Sequence, residues 1–421
     1  MKSLKYAGIA ALLILVMYFG YNQLSWTELP DNREHEKTTG IIDSTYIEQI
    51  QLSSKKLEHL LDSLNVPSVS VAIGVDNKIV WSEAIGYADV QNKLNATPKS
   101  AYRIGSTSKA VTSVAIMNIV QQHKLNLDQS VATILPEYPT KKWEFTTRQL
   151  LSHTAGFPDY EDIGIRGGFY TLTNFKQFNT VQEGLAIFEE IPLLFKPGEQ
   201  FKYNSFDIVL ASRVIEEVSA MDFLTYLEKA IFQVLDMENT YGDHSDKKSD
   251  YEAQFYEISS DRKYRKWHTF GIPHSDQNLS YKWAGGGLLS TPTDLVKMGN
   301  ALLHDSSFVS MDVRNTFFEP QRLSNGEVNE QKYALGWRSN YDYASEHLLG
   351  EDTPVWMVHH GGVSKGSMNL LCLFPNEGVV IDVAINGREK EFEFSPFWFQ
   401  VMDLVQPFLI KEFEKEQAEK N

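Results

Sequence analysis

A chain of 421 residues that is 42% hydrophobic can bury a substantial core and exceeds one average domain, so one large or two interleaved domains are expected. Charged residues at 22% and eight tryptophans exclude a disordered chain, and a formal net charge of -16 argues against nucleic acid as a partner, because phosphate binding needs a basic surface. The single cysteine, Cys372, cannot form an internal disulfide, and its neighbours Leu370, Leu371, Leu373 and Phe374 make it a buried strand thiol.

Lys2 and Lys5 precede an apolar segment over residues 6 to 19, the basic start and apolar core of a secretory signal. It is short for a membrane span, where about 20 residues are expected, yet no clear small-x-small cleavage site follows. Residues 1–24 therefore read as a signal or an uncleaved membrane anchor, with the body exported to the periplasmic or extracellular face in either case. Residues 25–45, with Pro30 and a charged run after it, read as a linker. The spacing then predicts a helix over 47–64 and two strands over 68–75 and 78–87, joined as a hairpin at Asp76-Asn77. Residues 108–122 are apolar nearly all round, which suits a central helix.

Residues 136–275 carry few strand patterns and several helical ones, and read as a mainly helical insert domain. A helix over 293–303, strands near 333–338, 355–360, 368–374 and 379–385, and a C-terminal helix opened by Ser395-Pro396 follow. The expected fold class is α+β. A mostly antiparallel β-sheet flanked by helices is assembled from residues 46–135 and 276–415, around the insert.

Ser106 and Lys109 lie three positions apart, just after Gly105 and at the head of the apolar helix. That spacing puts both on one helical face, with Ser106 at the positive end of the helix dipole, where an alkoxide is favoured and an ammonium is not. Ser-x-x-Lys also occurs at Ser53/Lys56, Ser245/Lys248 and Ser260/Lys263, but in polar or charged stretches. Taken alone, Ser106 is as well explained as an N-cap serine beside a solvated lysine. Two downstream blocks tip the balance: a Pro197-Gly198 turn leading to Tyr203-Asn204-Ser205, and His359-His360-Gly361-Gly362-Val363 ahead of an apolar run.

Three motifs in this order resemble the serine β-lactamase and penicillin-binding-protein superfamily, and most closely its class C β-lactamase-like serine hydrolases. The blocks Gln149-Leu150-Leu151-Ser152-His153-Thr154-Ala155-Gly156 and Tyr333-Ala334-Leu335-Gly336-Trp337 are similar to that family too. Trp81 to Val90, with Thr146-Thr147-Arg148, is similar to the branch holding the mitochondrial β-lactamase-like protein of animals. The resemblance implies that Ser106 attacks a carbonyl and forms an acyl-enzyme that water cleaves. It implies Lys109 and Tyr203 as a coupled pair, either of which takes the serine proton. Ser205 stands where class C β-lactamases carry asparagine, and His360 where true β-lactamases carry lysine. Gly362 lets a substrate backbone approach, and the N–H groups of Val363 and Ser106 make the candidate oxyanion hole.

A charged His360 is expected to hold a substrate carboxylate more weakly than lysine, which favours peptides, D-amino-acid amides or esters over penicillins. The alternative function is a catalytically weak, penicillin-binding-like sensor or scaffold module. No cofactor is expected. His153 and His359 lack metal-ligand spacing, so no metal is expected, and His153 reads as a structural tie for a loop. The expected partners are a small-molecule or peptide substrate and, through residues 1–24, a membrane; oligomeric state is left open.

Overall fold

The computed structural model describes residues 2–30, 36–165, 167, 176–244, 249–267, 278–341, 345–350 and 353–420. In chain order the strands begin with β1 Thr27–Glu28, β2 Thr38–Ile42, β3 Ser68–Val75, β4 Lys78–Asp89, β5 Leu94–Asn95, β6 Tyr102–Arg103, β7 Tyr241–Gly242 and β8 Tyr256–Ile258. They continue with β9 Lys263–Lys266, β10 Leu288–Ser290, β11 Arg338–Asn340, β12 Met357–Ser364, β13 Ser367–Phe374, β14 Val379–Ile385 and β15 Gly387–Arg388. The main sheet runs β11-β12-β13-β14-β3-β4-β2, antiparallel throughout, so strands from the end of the chain close onto strands from its beginning. This is the α+β, mostly antiparallel class expected from the sequence.

Side-chain alternation explains why both faces of the sheet are covered. On β3, Val69, Val71, Ile73 and Val75 join a core with Leu57, Leu60 and Leu61 of helix α2 (Ile47–Ser63) and with Phe397, Val401 and Phe408 of the C-terminal helix Ser395–Lys420. The smaller Ser70, Ala72 and Gly74 point the other way, toward the helix Pro292–His304. A Cβ on Gly74 would lie 2.4 Å from Oδ1 of Asn300 on that helix, so glycine allows the close packing. At the β3–β4 hairpin both Asp76 (φ 48°) and Asn77 (φ 64°) adopt the left-handed conformation that a tight two-residue turn needs.

Helix α3 (Ser108–Gln121) is buried at every residue from 108 to 119, as its all-round apolar character implies. Cys372 lies fully buried on β13, where burial pushes its thiol well above the ordinary range.

Several expectations change. The stretch read as a linker contributes two strands: β1 pairs with β9, and β2 pairs with β4 at the edge of the main sheet. β2 is short and largely exposed, so its sequence carries no buried-face alternation. Among the described residues between 136 and 275 the longest helix is Phe206–Ser219, but β7, β8 and β9 also fall there, and β8 and β9 form a second sheet with β1 and β15. The first helix, α1 (Lys2–Leu24), exposes apolar side chains such as Leu12, Ile14 and Phe19 to solvent. Among the described residues no helix is long and apolar enough to cross a membrane, so a spanning anchor over 1–24 finds no support.

Candidate active site

The site is built where β6 hands over to α3. β6 pairs with β10, and the Ile104 N–H continues that ladder by donating to Leu288 O at 3.1 Å. The chain then reverses at Gly105, whose φ of 51° is a left-handed value glycine adopts at no steric cost. A Cβ there would also lie 2.6 Å from Val363 O, so β12 can press against the turn only because position 105 is glycine. One 3-10 turn, Gly105–Thr107, carries half-buried Ser106 into the N-terminus of α3.

Lys109, one turn further on, is fully buried. Its Nζ donates to Gly285 O at 2.6 Å and to Ser106 Oγ at 3.2 Å, and lies 4.8 Å from the ring centre of Tyr203. Gly285 belongs to the helical turn Trp283–Gly286, which Thr112 of α3 holds through a 3.0 Å bond from its hydroxyl to Ala284 O. The structure thus brings Lys109 within hydrogen-bond distance of Ser106, with the Gly285 carbonyl as its nearer acceptor.

Tyr203 arrives on the loop that opens the helix Phe206–Ser219. That loop is tied to the one after the helical turn Thr147–Leu151: Lys202 N–H donates to His153 O at 2.9 Å, Asn204 Nδ2 to Asp207 Oδ2 at 2.6 Å, and Asp207 meets His153 Nδ1 at 3.2 Å. His153 itself is buried, with φ 57°, and packs edge-on to the Tyr203 ring at 4.7 Å. Burial raises the Tyr203 phenol, but the charges of Lys109 and Arg338 and hydrogen bonds with Ser106 and Lys109 outweigh it. The net direction is downward from the ordinary phenol value.

The third block forms β12. Thr107 Oγ1 donates to His360 O at 3.1 Å, and a Cβ on Gly362 would lie 1.8 Å from Ile104 O, so strand and turn are in backbone contact beside Ser106. Val363 follows on the cavity wall. His360 corrects an expectation, because its side chain has no exposed surface. Burial first, then the charges of Arg338 and Lys109, hold its imidazole neutral. Since Gly361 O at 2.8 Å can only accept, His360 Nδ1 carries the proton and Nε2 accepts from the Tyr333 hydroxyl at 2.9 Å. A charged His360 anchoring a carboxylate is therefore not what the site presents.

The accessible cation is Arg338, which the sequence reading missed. Its guanidinium lies over the rings of Tyr203 (5.3 Å) and Tyr333 (5.4 Å), and Nη2 donates to Gln331 Oε1 at 2.8 Å. Only the pairing of Arg338 with His359 across β11 and β12 brings it to the site; its one sequence signal is adjacency to the Tyr333–Trp337 block. Ser205 is half-buried, with its N–H directed to Asp159 Oδ1 at 3.3 Å and its Cβ 3.3 Å from where a Cβ on Gly285 would stand. It thus borders the turn that holds Lys109. Ser106, Tyr203, Arg338, Val363, Phe394 and Trp398 line one cavity of about 330 Å³. No group of three or more metal-binding side chains occurs among the described residues.

The beta-lactamase family model matches residues 54–401. The human mitochondrial serine beta-lactamase-like protein LACTB is 32% identical over 417 residues, covering 78% of this chain and 72% of that protein. Protein flp of Staphylococcus aureus (strain N315) is 28% identical, covering 80% of this chain and 64% of its own. Among solved structures, the octameric penicillin-binding protein homologue from Pyrococcus abyssi superposes with a TM-score of 0.65 at 24% identity, covering 85% of this chain and 76% of that one. D-amino acid amidase from Ochrobactrum anthropi SV3 does so with a TM-score of 0.66 at 21% identity, covering 86% and 99%. At those identities the two structures speak for the fold, whereas the family match spans most of the sequence and includes all three motif blocks: the chain belongs to the beta-lactamase family, among its serine beta-lactamase-like hydrolases.

Proposed function

We propose that the protein is a serine hydrolase that takes an amide or ester carbonyl onto Ser106 and releases it to water. The observation that carries this is the convergence of Ser106, Lys109 and Tyr203, with Lys109 Nζ 3.2 Å from the serine oxygen and 4.8 Å from the phenol ring. Lys109 and Tyr203 both stand beside Ser106, and we assign the base to Tyr203, whose phenol the charges of Lys109 and Arg338 draw downward. As phenolate it accepts the Ser106 proton as Oγ bonds to the carbonyl carbon. The carbonyl electron pair moves to oxygen, facing the N–H groups of Ser106 and Val363. Collapse breaks the bond to the leaving amine or alcohol, which takes the proton from Tyr203, and water repeats the sequence in reverse.

Arg338 supports a substrate with an anionic group near the scissile bond, taking the role expected of His360. Serine rather than asparagine at position 205 supports peptides, D-amino-acid amides or esters over β-lactams, because a hydroxyl reaches less far than a carboxamide and makes fewer bonds. Export of the body is supported by Lys2 and Lys5 ahead of an apolar helix whose described residues from Gly8 to Gly20 are exposed. A reporter fused after Glu36 and active only in the cytoplasm would remove the export reading. For the chemistry, intact-mass spectrometry after exposure to a fluorophosphonate should show one adduct on Ser106 and none in Ser106→Ala. Equal labelling of both proteins would overturn the mechanism.

A further inference from the structure

Phe394 and Trp398 belong to none of the family's motif blocks, yet they form one wall of the cavity at Ser106. Phe394 ends the segment after β15, and its carbonyl accepts from the Trp398 N–H at 3.0 Å in the first turn of the C-terminal helix. That bond fixes the two backbones relative to each other. Phe397 backs Phe394 edge-on at 5.6 Å, and His359 of β12 meets Trp398 edge-on at 4.7 Å. The wall reaches the strand because residue 361 has no side chain: a Cβ on Gly361 would lie 2.7 Å from Phe394 Cζ. Ser106 and Tyr203 line the same cavity, and Arg338 supplies the cation. Burial and the Arg338 charge hold His359 neutral, so among the described residues Arg338 is the cation of this lining.

Size decides what such a cavity holds. At about 330 Å³ it is near the lower end of ligand cavities, which run from ~300 to 1,000 Å³, and it admits one residue-sized group. Two rings on one wall offer that group an apolar, edge-or-face contact surface. We propose that the cavity is a specificity subsite for a single apolar, and preferentially aromatic, side chain borne by the substrate residue next to the scissile bond, seated on Phe394 and Trp398 with that residue's anionic group toward Arg338. This rests on the reading of Ser106 as the nucleophile, and it names the substrate class: acylated amino acids or short peptides whose residue at this subsite is apolar and carries a carboxylate.

The test uses two thioesters of N-benzoylglycine with thiol acids that differ only in a benzyl group, mercaptoacetate and 2-mercapto-3-phenylpropionate, with thiol release followed on the full chain. The parent is expected to prefer the benzyl thioester by about 10- to 100-fold in kcat/KM, the range for burying one such group. Phe394→Ala should bring the ratio close to one, Phe394→Leu should restore part of it, and Phe399→Ala, an exposed neighbour outside the cavity, should keep the parent ratio. Independently of turnover, binding of 3-phenylpropionate against propionate, read by tryptophan fluorescence, should show the same preference and lose it in Phe394→Ala. A parent ratio near one in both measurements, or a ratio that Phe394→Ala leaves in place, overturns the subsite. Thiol release that survives in Ser106→Ala would instead overturn the nucleophile, and the binding comparison would still decide the subsite.

Discussion

Adjacent glycines on β12 should respond to the same substitution very differently. In Gly362→Ala the new methyl would begin 1.8 Å from Ile104 O, and real Cβ contacts essentially never fall below 3.0 Å, so strand and turn must part by more than an ångström. Neither side can rotate away. The obstacle is a backbone carbonyl, β12 is paired along its length with β13, and Ile104 is bonded to Leu288. The separation falls between the N–H groups of Ser106 and Val363, which must point at one oxygen. A misplacement of about 1 Å costs on the order of 10²-fold, and loss of one oxyanion donor about 10²–10³-fold. We therefore expect the second-order rate of fluorophosphonate labelling to fall by about 10²–10³ in Gly362→Ala, with a thermal unfolding scan confirming a folded protein. In Gly361→Ala the nearest atom is Phe394 Cζ, the far end of a side chain that can turn, at a rotamer cost of at most about tenfold in rate. Labelling of Gly362→Ala within threefold of the parent, in a folded protein, would refute the backbone contact as the source of the geometry.

Other outcomes follow from the same structure. Ser106→Ala should abolish acylation while shifting unfolding free energy by no more than about 1 kcal/mol, since one half-buried hydroxyl is lost; a large loss of stability would show that the serine is structural. Tyr203→Phe should slow acylation by about 10²–10⁴, the contribution of a positioned base, and a rate near the parent's would return the role to Lys109. With Tyr203 acting deprotonated, as proposed, acylation should rise as pH rises through a pKa below that of a free phenol. Arg338→Gln removes one of the two cations favouring the phenolate, so the rise should move to higher pH; an unmoved profile would contradict the electrostatic reading. Burial pushes the Asp382 carboxyl well above its usual range despite bonds from Asn369 Nδ2 to both oxygens at 2.8 and 3.0 Å. The unfolded chain ionises near ~3.9, so this residue's support is complete below that pH and is lost as pH rises toward the folded pKa. Asp382→Asn should flatten the decline in the urea midpoint from pH 5 to 8, and an unchanged slope would exclude Asp382 as its source.

What could be read in advance was what rests on neighbours in sequence. The Asp76-Asn77 turn, the apolar helix behind Ser106 and the Ser106–Lys109 spacing each declare themselves within a few residues, because one turn of helix or one hairpin sets them. The family order of the three blocks then supplied Tyr203. Arg338, Phe394 and Trp398 were missed because each owes its place to pairing or packing across the fold: Arg338 to its register with His359, and Phe394 to the absence of a side chain on Gly361. His360 was misjudged for the same reason. Its neutral state depends on full burial and on the charges of Arg338 and Lys109, and neither the burial nor Arg338 is visible in the residues beside it. The strands within 25–45 were lost because β2 is an exposed edge, where nothing compels apolar alternation.

The pairing of β14 with β3 has a consequence for how the chain is made. Strand β3 is buried along its whole length in the finished sheet, but its partner on one side is β14, roughly 300 residues later in the chain. At about 5–20 residues per second a ribosome needs roughly 15–60 s to deliver it. Throughout that interval the newborn chain presents an uncharged, β-branched strand with an open hydrogen-bonding edge, the kind of surface that recruits copies of itself. A premature stop between residues 76 and 378 thus leaves β3 with an unpaired edge rather than yielding a smaller enzyme.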